Sequence, residues 1–139
     1  MQIRKFAKED TRAVIALWEA CGLTRPWNNP EQDIARKLWV QPELFLVGER
    51  EGKVMASVMA GYDGHRGSVF YLAVSPHYQN LGYGQLLMTR IETLLSSMGC
   101  PKLNIMVRTT NPRVLGFYTH LGYNVDDVVS LGKRLIVDA

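Results

Sequence analysis

The hexapeptide Gln79-Asn-Leu-Gly-Tyr-Gly84 constrains this chain more than any other stretch. It lies between an apolar run, Val69 to Val74, and a segment of helical period from Gln85 to Met98. An apolar run, a short glycine-bearing turn and an amphipathic helix are the opening of a βαβ unit. Gly82 and Gly84 carry no Cβ, so the chain can bend tightly there and its backbone can come close to a ligand. The first amides of the following helix have no intrahelical partner, and the helix dipole adds partial positive charge. Such an end suits a phosphate or pyrophosphate. The third glycine of a Rossmann fingerprint and the Gly-Lys-Ser/Thr of a P-loop are both absent, so a plain strand-to-helix turn stays open.

On either side of this stretch the pattern alternates between the two regular structures. Gln2 to Phe6 makes a short edge strand, and Asp10 or Thr11 caps a helix running to about Cys21. Val14, Leu17, Trp18 and Cys21 recur at three- and four-residue spacing, the mark of one buried stripe, and Gly22 stops the helix. The connector Leu23-Thr-Arg-Pro-Trp-Asn-Asn-Pro30 follows, in which Trp27, beside Arg25, either fills the core or touches substrate. Asn29-Pro30 is a cap followed by a first-turn proline, and Ile34, Ala35 and Leu38 mark the inward face of the helix it starts. Leu44 to Glu49 and Lys53 to Tyr62 form an antiparallel hairpin around Glu51-Gly52.

Gly61 to Gly67 is a second turn, leading into Ser68 to Val74, whose apolar character predicts a strand buried on both faces. After the glycine turn, Leu87, Ile91, Leu94, Leu95 and Met98 form the inward stripe of a helix that Gly99 ends. Lys102 to Arg108 reads as a strand, with Leu103, Ile105 and Val107 at its centre. Asn111-Pro112 starts a helix to about Leu121, with Val114, Phe117, Tyr118 and Leu121 on one face, and Gly122 breaks it. Val125 to Val129 and Gly132 to Val137 read as the last two strands. The order is β-α-α-β-β-β-α-β-α-β-β: an α/β chain with a mixed, mostly antiparallel sheet and one parallel pair, not a doubly wound fold.

Length and composition bound the rest. A chain of 139 residues makes a single domain, 1–139, with a substantial core. The net charge of +3 is scattered, without the basic stripe and interleaved aromatics of a nucleic-acid binder. No apolar run reaches transmembrane length and the first residues show no signal-peptide pattern, so the expected location is cytoplasmic, without a membrane partner. Cys21 and Cys100 lie in no metal-like spacing and read as buried free thiols in a reducing compartment. No cluster of metal-ligating residues is visible, and no metal is expected.

Two motifs together resemble a known family. Gln79-x-x-Gly82-x-Gly84, after a strand ending Leu72-Ala-Val74 and a Ser75-Pro76 turn, is similar to the acyl-CoA pyrophosphate loop of the GNAT superfamily of N-acyltransferases. Asn111-Pro-Arg-Val-Leu-Gly-Phe-Tyr118, then Leu121-Gly-Tyr123, resembles that family's second motif. The element order is also the GNAT order. The connector and the Gly61–Gly67 loop look most like a small bacterial subgroup of the YpeA type.

The resemblance implies acetyl-CoA as co-substrate and transfer of its acetyl group to a primary amine, on a small molecule or a protein, by direct attack on the thioester. The parallel strand pair would be splayed at the cofactor site. Backbone groups of Leu72 and Val74 would pair with the pantetheine arm. Gln79 and the backbone of Leu81, Gly82, Tyr83, Gly84 and Gln85 would hold the pyrophosphate. Asn111 would contact the pantetheine or phosphate arm, although as a helix cap it needs only its side-chain oxygen. Tyr118 would protonate the leaving thiolate, the alternative being an aromatic packed on the sheet. A homodimer is a common state in the family.

The base is where the pattern departs from the family. Val107-Arg-Thr-Thr-Asn111 matches the context of a strand glutamate found in protein N-terminal acetyltransferases, but Met106 stands at the glutamate position. Asp63, in Tyr62-Asp-Gly-His65, is a catalytic candidate that could bind the amine or relay its proton, with turn formation as the alternative. His65 has a suitable intrinsic pKa, and Glu49 is a weaker candidate. Without a base, the alternative function is a non-catalytic acyl-CoA-binding module acting as a sensor or partner domain.

Overall fold

Alternating apolar residues dictate the sheet on which everything else is mounted. A computed structural model describes residues 1–138 and gives two compact units, residues 1–105 together with Asp138, and residues 106–137.

In the first unit the strands are β1 (Gln2–Lys5), β2 (Phe45–Arg50), β3 (Lys53–Tyr62), β4 (Gly67–Val74) and β5 (Leu103–Asn104). They lie side by side in chain order, antiparallel throughout except for the parallel pair β4–β5. Helices α1 (Thr11–Ala20) and α2 (Pro30–Trp39) precede the β2–β3 hairpin, and α3 (Tyr83–Ser97) follows β4. Glu51 and Gly52, at φ +53° and +76°, give the hairpin the left-handed pair that matches strand twist.

Strand alternation sorts the core into two faces. Phe45, Val47, Met59 and Ala73 join Phe6, Val14, Leu17, Trp18 and Ile34 in one cluster, beneath α1 and α2. On the other face lie Leu46, Val58 and Val69, and α3 buries Leu87, Met88, Ile91 and Leu95 against β3 and β4. α3 packs close over Gly67, where a Cβ would sit 3.1 Å from Leu95 and 3.0 Å from Cys100.

Two helix starts follow their sequence signals. Asn29 Oδ1 accepts from the Gln32 amide at 3.2 Å, with Pro30 as first helical residue. The inward face of α2 differs from expectation: Ala35 is exposed and Lys37 is buried. Lys37 lies three residues beyond Ile34, and its ammonium donates to the Ala60 carbonyl. Burial lowers its pKa. At the far side of α2, Arg36 makes a bidentate pair with Asp138, at 2.6 and 2.8 Å.

Strand β4 is not buried on both faces, and β5 pairs with it only through Gly67 and Ser68. Phe70 is 45% exposed. Strand β5 itself is two residues long rather than the seven of 102–108.

The second unit contains α4 (Pro112–His120), capped by Asn111 Oδ1 accepting from the Val114 amide at 3.3 Å. Of the expected inward face only Tyr118 is buried. Residues 125–129 and 132–137 form no strand, which corrects the last two expected elements. Their apolar side chains, Val125, Val128, Val129, Leu135, Ile136 and Val137, are all exposed. An extended pattern becomes a strand only when it finds a ladder partner and a surface to half-bury against. No helix among the described residues is long and apolar enough to cross a membrane.

Candidate active site

The geometry of the site begins with a register shift. Ser57 pairs with Ala73 and Met59 with Phe70, so both Tyr71 and Leu72 stand opposite Val58 alone. This is a β-bulge, and Tyr71 takes the extra turn with φ +54°. A bulky side chain in the left-handed region costs about 1 kcal/mol, so its surroundings must hold it there. The Ser57 hydroxyl donates to the Tyr71 carbonyl at 2.9 Å, and Trp18 Nε1 donates to the Ser57 oxygen at 2.9 Å. The Trp18 ring stacks on the Tyr71 ring with centroids 3.8 Å apart. The Tyr71 hydroxyl donates to Asp33 Oδ2 at 2.6 Å. Desolvation first, and Asp33 second, push the Tyr71 pKa up.

The bulge aims one backbone donor. The Tyr71–Leu72 peptide bond is trans, and a trans unit points its C=O and N–H in opposite directions. Since the Tyr71 carbonyl is taken by the Ser57 hydroxyl, the Leu72 N–H of the same peptide unit points away from that hydroxyl. Beyond Ser68, β5 forms no ladder with β4. Leu72 thus lies on a stretch of β4 that β5 leaves without a ladder.

At the end of β4, the Val74 carbonyl accepts from Gln79 Nε2 at 2.9 Å and from the Cys21 thiol at 3.2 Å. Gln79 therefore ties the loop back to the strand instead of projecting into it. Gly82 precedes α3 with φ +84°, the left-handed conformation its missing Cβ permits. Gly84, in contrast, lies inside the first helical turn and uses no positive φ. The first intrahelical bond is from the Leu86 amide to the Gly82 carbonyl, at 3.1 Å. The amides of Tyr83, Gly84 and Gln85 precede it and have no intrahelical acceptor, at the positive end of the helix dipole.

Arg50 is a neighbour that the sequence did not announce. It closes β2 at the hairpin turn, donates to the Tyr83 hydroxyl at 3.0 Å, and lies 5.2 Å above the Tyr78 ring. A fixed cation therefore stands beside the loop. Position 50 meets position 83 only in the folded chain, which a linear reading does not show.

Asp63 is corrected. Its Oδ1 accepts from the amides of His65 (2.8 Å) and Arg66 (2.7 Å), closing the β3–β4 turn. Those backbone N–H groups, that of Arg66 first, hold the carboxylate below its usual range, the wrong direction for a base. The turn is also at the opposite end of β4 from Val74, roughly 20 Å along the strand. Glu49 is engaged by Arg4 at 2.6 Å, and His65 is a solvent-facing turn residue. Trp27 is 48% exposed and does not fill the core.

The second unit carries Asn111 and Tyr118. The Asn111 oxygen is committed to its cap, which leaves the amide nitrogen as the part the cap does not use. Tyr118 meets Phe117 and Tyr123 edge-on, with centroids 5.0 and 5.8 Å away. Burial pushes its pKa up to about 12, so the phenol stays protonated across the neutral range. Met106 is exposed and supplies no base; its sulfur accepts from the Ser130 hydroxyl at 3.3 Å. Among the described residues no group of three or more His, Cys, Asp and Glu side chains could hold a metal ion.

An open strand edge, an adjoining loop and a bare helix start thus follow one another at the end of β4. The model of the acetyltransferase (GNAT) family matches residues 8–123. The chain belongs to that family. It is 56% identical over 138 residues to an acetyltransferase of Yersinia pestis (strain Pestoides F), covering 99% of this chain and 98% of the relative.

Solved structures share the fold. The aminoglycoside 6'-N-acetyltransferase AAC(6')-IG of Acinetobacter haemolyticus matches with TM-score 0.74 at 15% identity, over 98% of this chain and 100% of its own. The ribosomal-protein-S18-alanine N-acetyltransferase of Escherichia coli matches with TM-score 0.73 at 23% identity, over 88% and 77%.

Proposed function

We propose that the protein transfers the acetyl group of acetyl-CoA to a primary amine, by direct attack of the amine on the thioester. The observation that carries this reading is the bulge at Tyr71-Leu72, which turns a backbone donor to an unpaired edge leading straight into the α3 anion site. Pantetheine, an extended amide chain, would lie along the edge from Leu72 to Val74. The pyrophosphate would sit on the amides of Leu81 to Gln85, with Gln79 holding the loop in place and Arg50 adding positive charge. Leu72 N–H would then meet the thioester carbonyl and stabilise the negative charge that develops there as the amine attacks.

Roles in the second unit rest on the family motif. Asn111 would contact the cofactor arm and Tyr118 the departing sulfur. With its pKa near 12, Tyr118 acts as a hydrogen-bond donor more than as a full acid. Handing its proton completely to a thiolate of ordinary pKa would be uphill by about 5 kcal/mol. The amine supplies its own proton in the end. One GNAT domain running through the chain is supported by the family model, which spans the boundary between the two units. A cytoplasmic setting accords with Cys21 and Cys100 both being free thiols.

The acceptor is a small-molecule or protein amine; the family fold serves both in the two solved relatives. Isothermal titration with acetyl-CoA tests the cofactor, with NADH and ATP as controls. Micromolar binding of acetyl-CoA alone is expected, and no binding would overturn the reading. Met106 at the base position favours one other function, an acyl-CoA-binding module without turnover. Free-thiol release on a panel of amines separates the two.

A further inference from the structure

The mechanism above uses the Leu72 amide but leaves unexplained why the chain tolerates a left-handed tyrosine beside it. Three side chains from three other elements converge there. Trp18 of α1 stacks on the Tyr71 ring and bonds to Ser57; Ser57 of β3 bonds to the Tyr71 carbonyl; Asp33 of α2 receives the Tyr71 hydroxyl. Trp18 and Ser57 are completely buried. Arg36 lies 3.5 Å from the other Asp33 oxygen and is itself paired to Asp138. The carboxylate that accepts the tyrosine's hydrogen bond is thus held from its far side.

Each contact fixes a different freedom of the bulge. The hydroxyl of Ser57 sets the plane of the Tyr71–Leu72 peptide, because it binds the carbonyl of that unit. The stack on Trp18 and the bond to Asp33 fix the side chain, and through it the sense of φ at Tyr71. A strained conformation kept by this many independent contacts, next to a reacting group, is a mark of function. The two helices α1 and α2 are thereby linked to the orientation of one amide.

We infer that Tyr71 is a positioning residue for acyl transfer, and that Asp33, Ser57 and Trp18 clamp it so that the Leu72 N–H meets the thioester carbonyl. The inference rests on the acetyl-CoA reading. It is separable from it, because binding of the cofactor and polarisation of its carbonyl are measured independently.

The test is isotope-edited infrared spectroscopy of bound acetyl-CoA labelled with ¹³C at the acetyl carbonyl, with titration of CoA itself alongside. In the unaltered protein the carbonyl stretch should move to lower frequency than in water. Tyr71→Phe keeps the ring stack and deletes only the hydroxyl; it should lose most of that downshift while CoA affinity stays the same. Asp33→Ala should do likewise, and Asp33→Asn, which keeps an acceptor oxygen, should restore it. Ser57→Ala offers an independent route to the same peptide plane should an Asp33 variant not fold. A downshift unchanged in Tyr71→Phe and Ser57→Ala would overturn the clamp. So would acetyl-CoA that binds the unaltered protein with no downshift. Failure of the unaltered protein to bind acetyl-CoA would instead remove the acetyltransferase reading, and the clamp with it.

Discussion

Burial decides what Tyr118 can do. A phenol beside Phe117 and Tyr123, with its pKa near 12, keeps its proton at any pH at which an amine acceptor is reactive. If it stabilises the departing thiolate, Tyr118→Phe should lower turnover about 100- to 1000-fold, the cost of one well-placed donor. Acetyl-CoA affinity should barely change, since the ground-state sulfur needs no such donor. Steady-state kinetics beside titration checks both, and an unchanged turnover removes the role. Single residues were legible where their signal is local: Asn29 and Asn111 cap because a short acceptor side chain precedes a proline. Asp33, Tyr71 and Arg50 were not, because their roles exist only once β2, β3 and β4 are aligned. Lys37 was hidden for another reason, since a long side chain can bury its stem and still spend its charge on a carbonyl.

At the scale of elements, the start of α3 makes a sharp claim. Gly84→Asp puts a carboxylate in the first turn of a helix, where the dipole and the loss of glycine's flexibility both favour it. The variant should melt at the same temperature or higher. CoA binding should nevertheless weaken at least about 10-fold, because the same charge faces the pyrophosphate. Wild-type affinity in a folded variant would place the cofactor elsewhere. The β2–β3 hairpin, the starts of both proline-started helices and most of the α3 stripe could be read from local pattern, although Met98 at the C-terminal end of α3 is exposed and Met88 is buried in its place. The segment from Val125 to Val137 could not. Its alternation records a preference for a pleated surface, whereas a strand also requires a partner that the sequence does not name. Asp63 failed for a related reason: Asp-Gly spells a turn and an amine site alike, and only the length of β4 separates them.

For the molecule as a whole, the buried tyrosines predict a loss of stability in alkali. Tyrosine in an unfolded chain ionises near 10, whereas Tyr118 holds its proton to about 12 and Tyr71 is shifted in the same direction. The folded state then binds more protons than the unfolded one, so stability falls as pH rises through this window. Tyr118 alone should account for about 2 kcal/mol by pH 12. Urea midpoints at pH 9 and 11 measure the slope, and Tyr118→Phe should flatten it; an equal slope in the variant would mean that Tyr118 is not protected by the fold. The three tryptophans divide in a way that bears on every experiment above. Trp39 and Trp27 face solvent, while Trp18 is sealed against Tyr71. A collisional quencher such as iodide should therefore silence the first two and leave a fluorescence signal from Trp18 alone, seated under the bulge. If acetyl-CoA lies along β4 as proposed, that residual emission should change as it binds, an optical gauge readable in real time without a label.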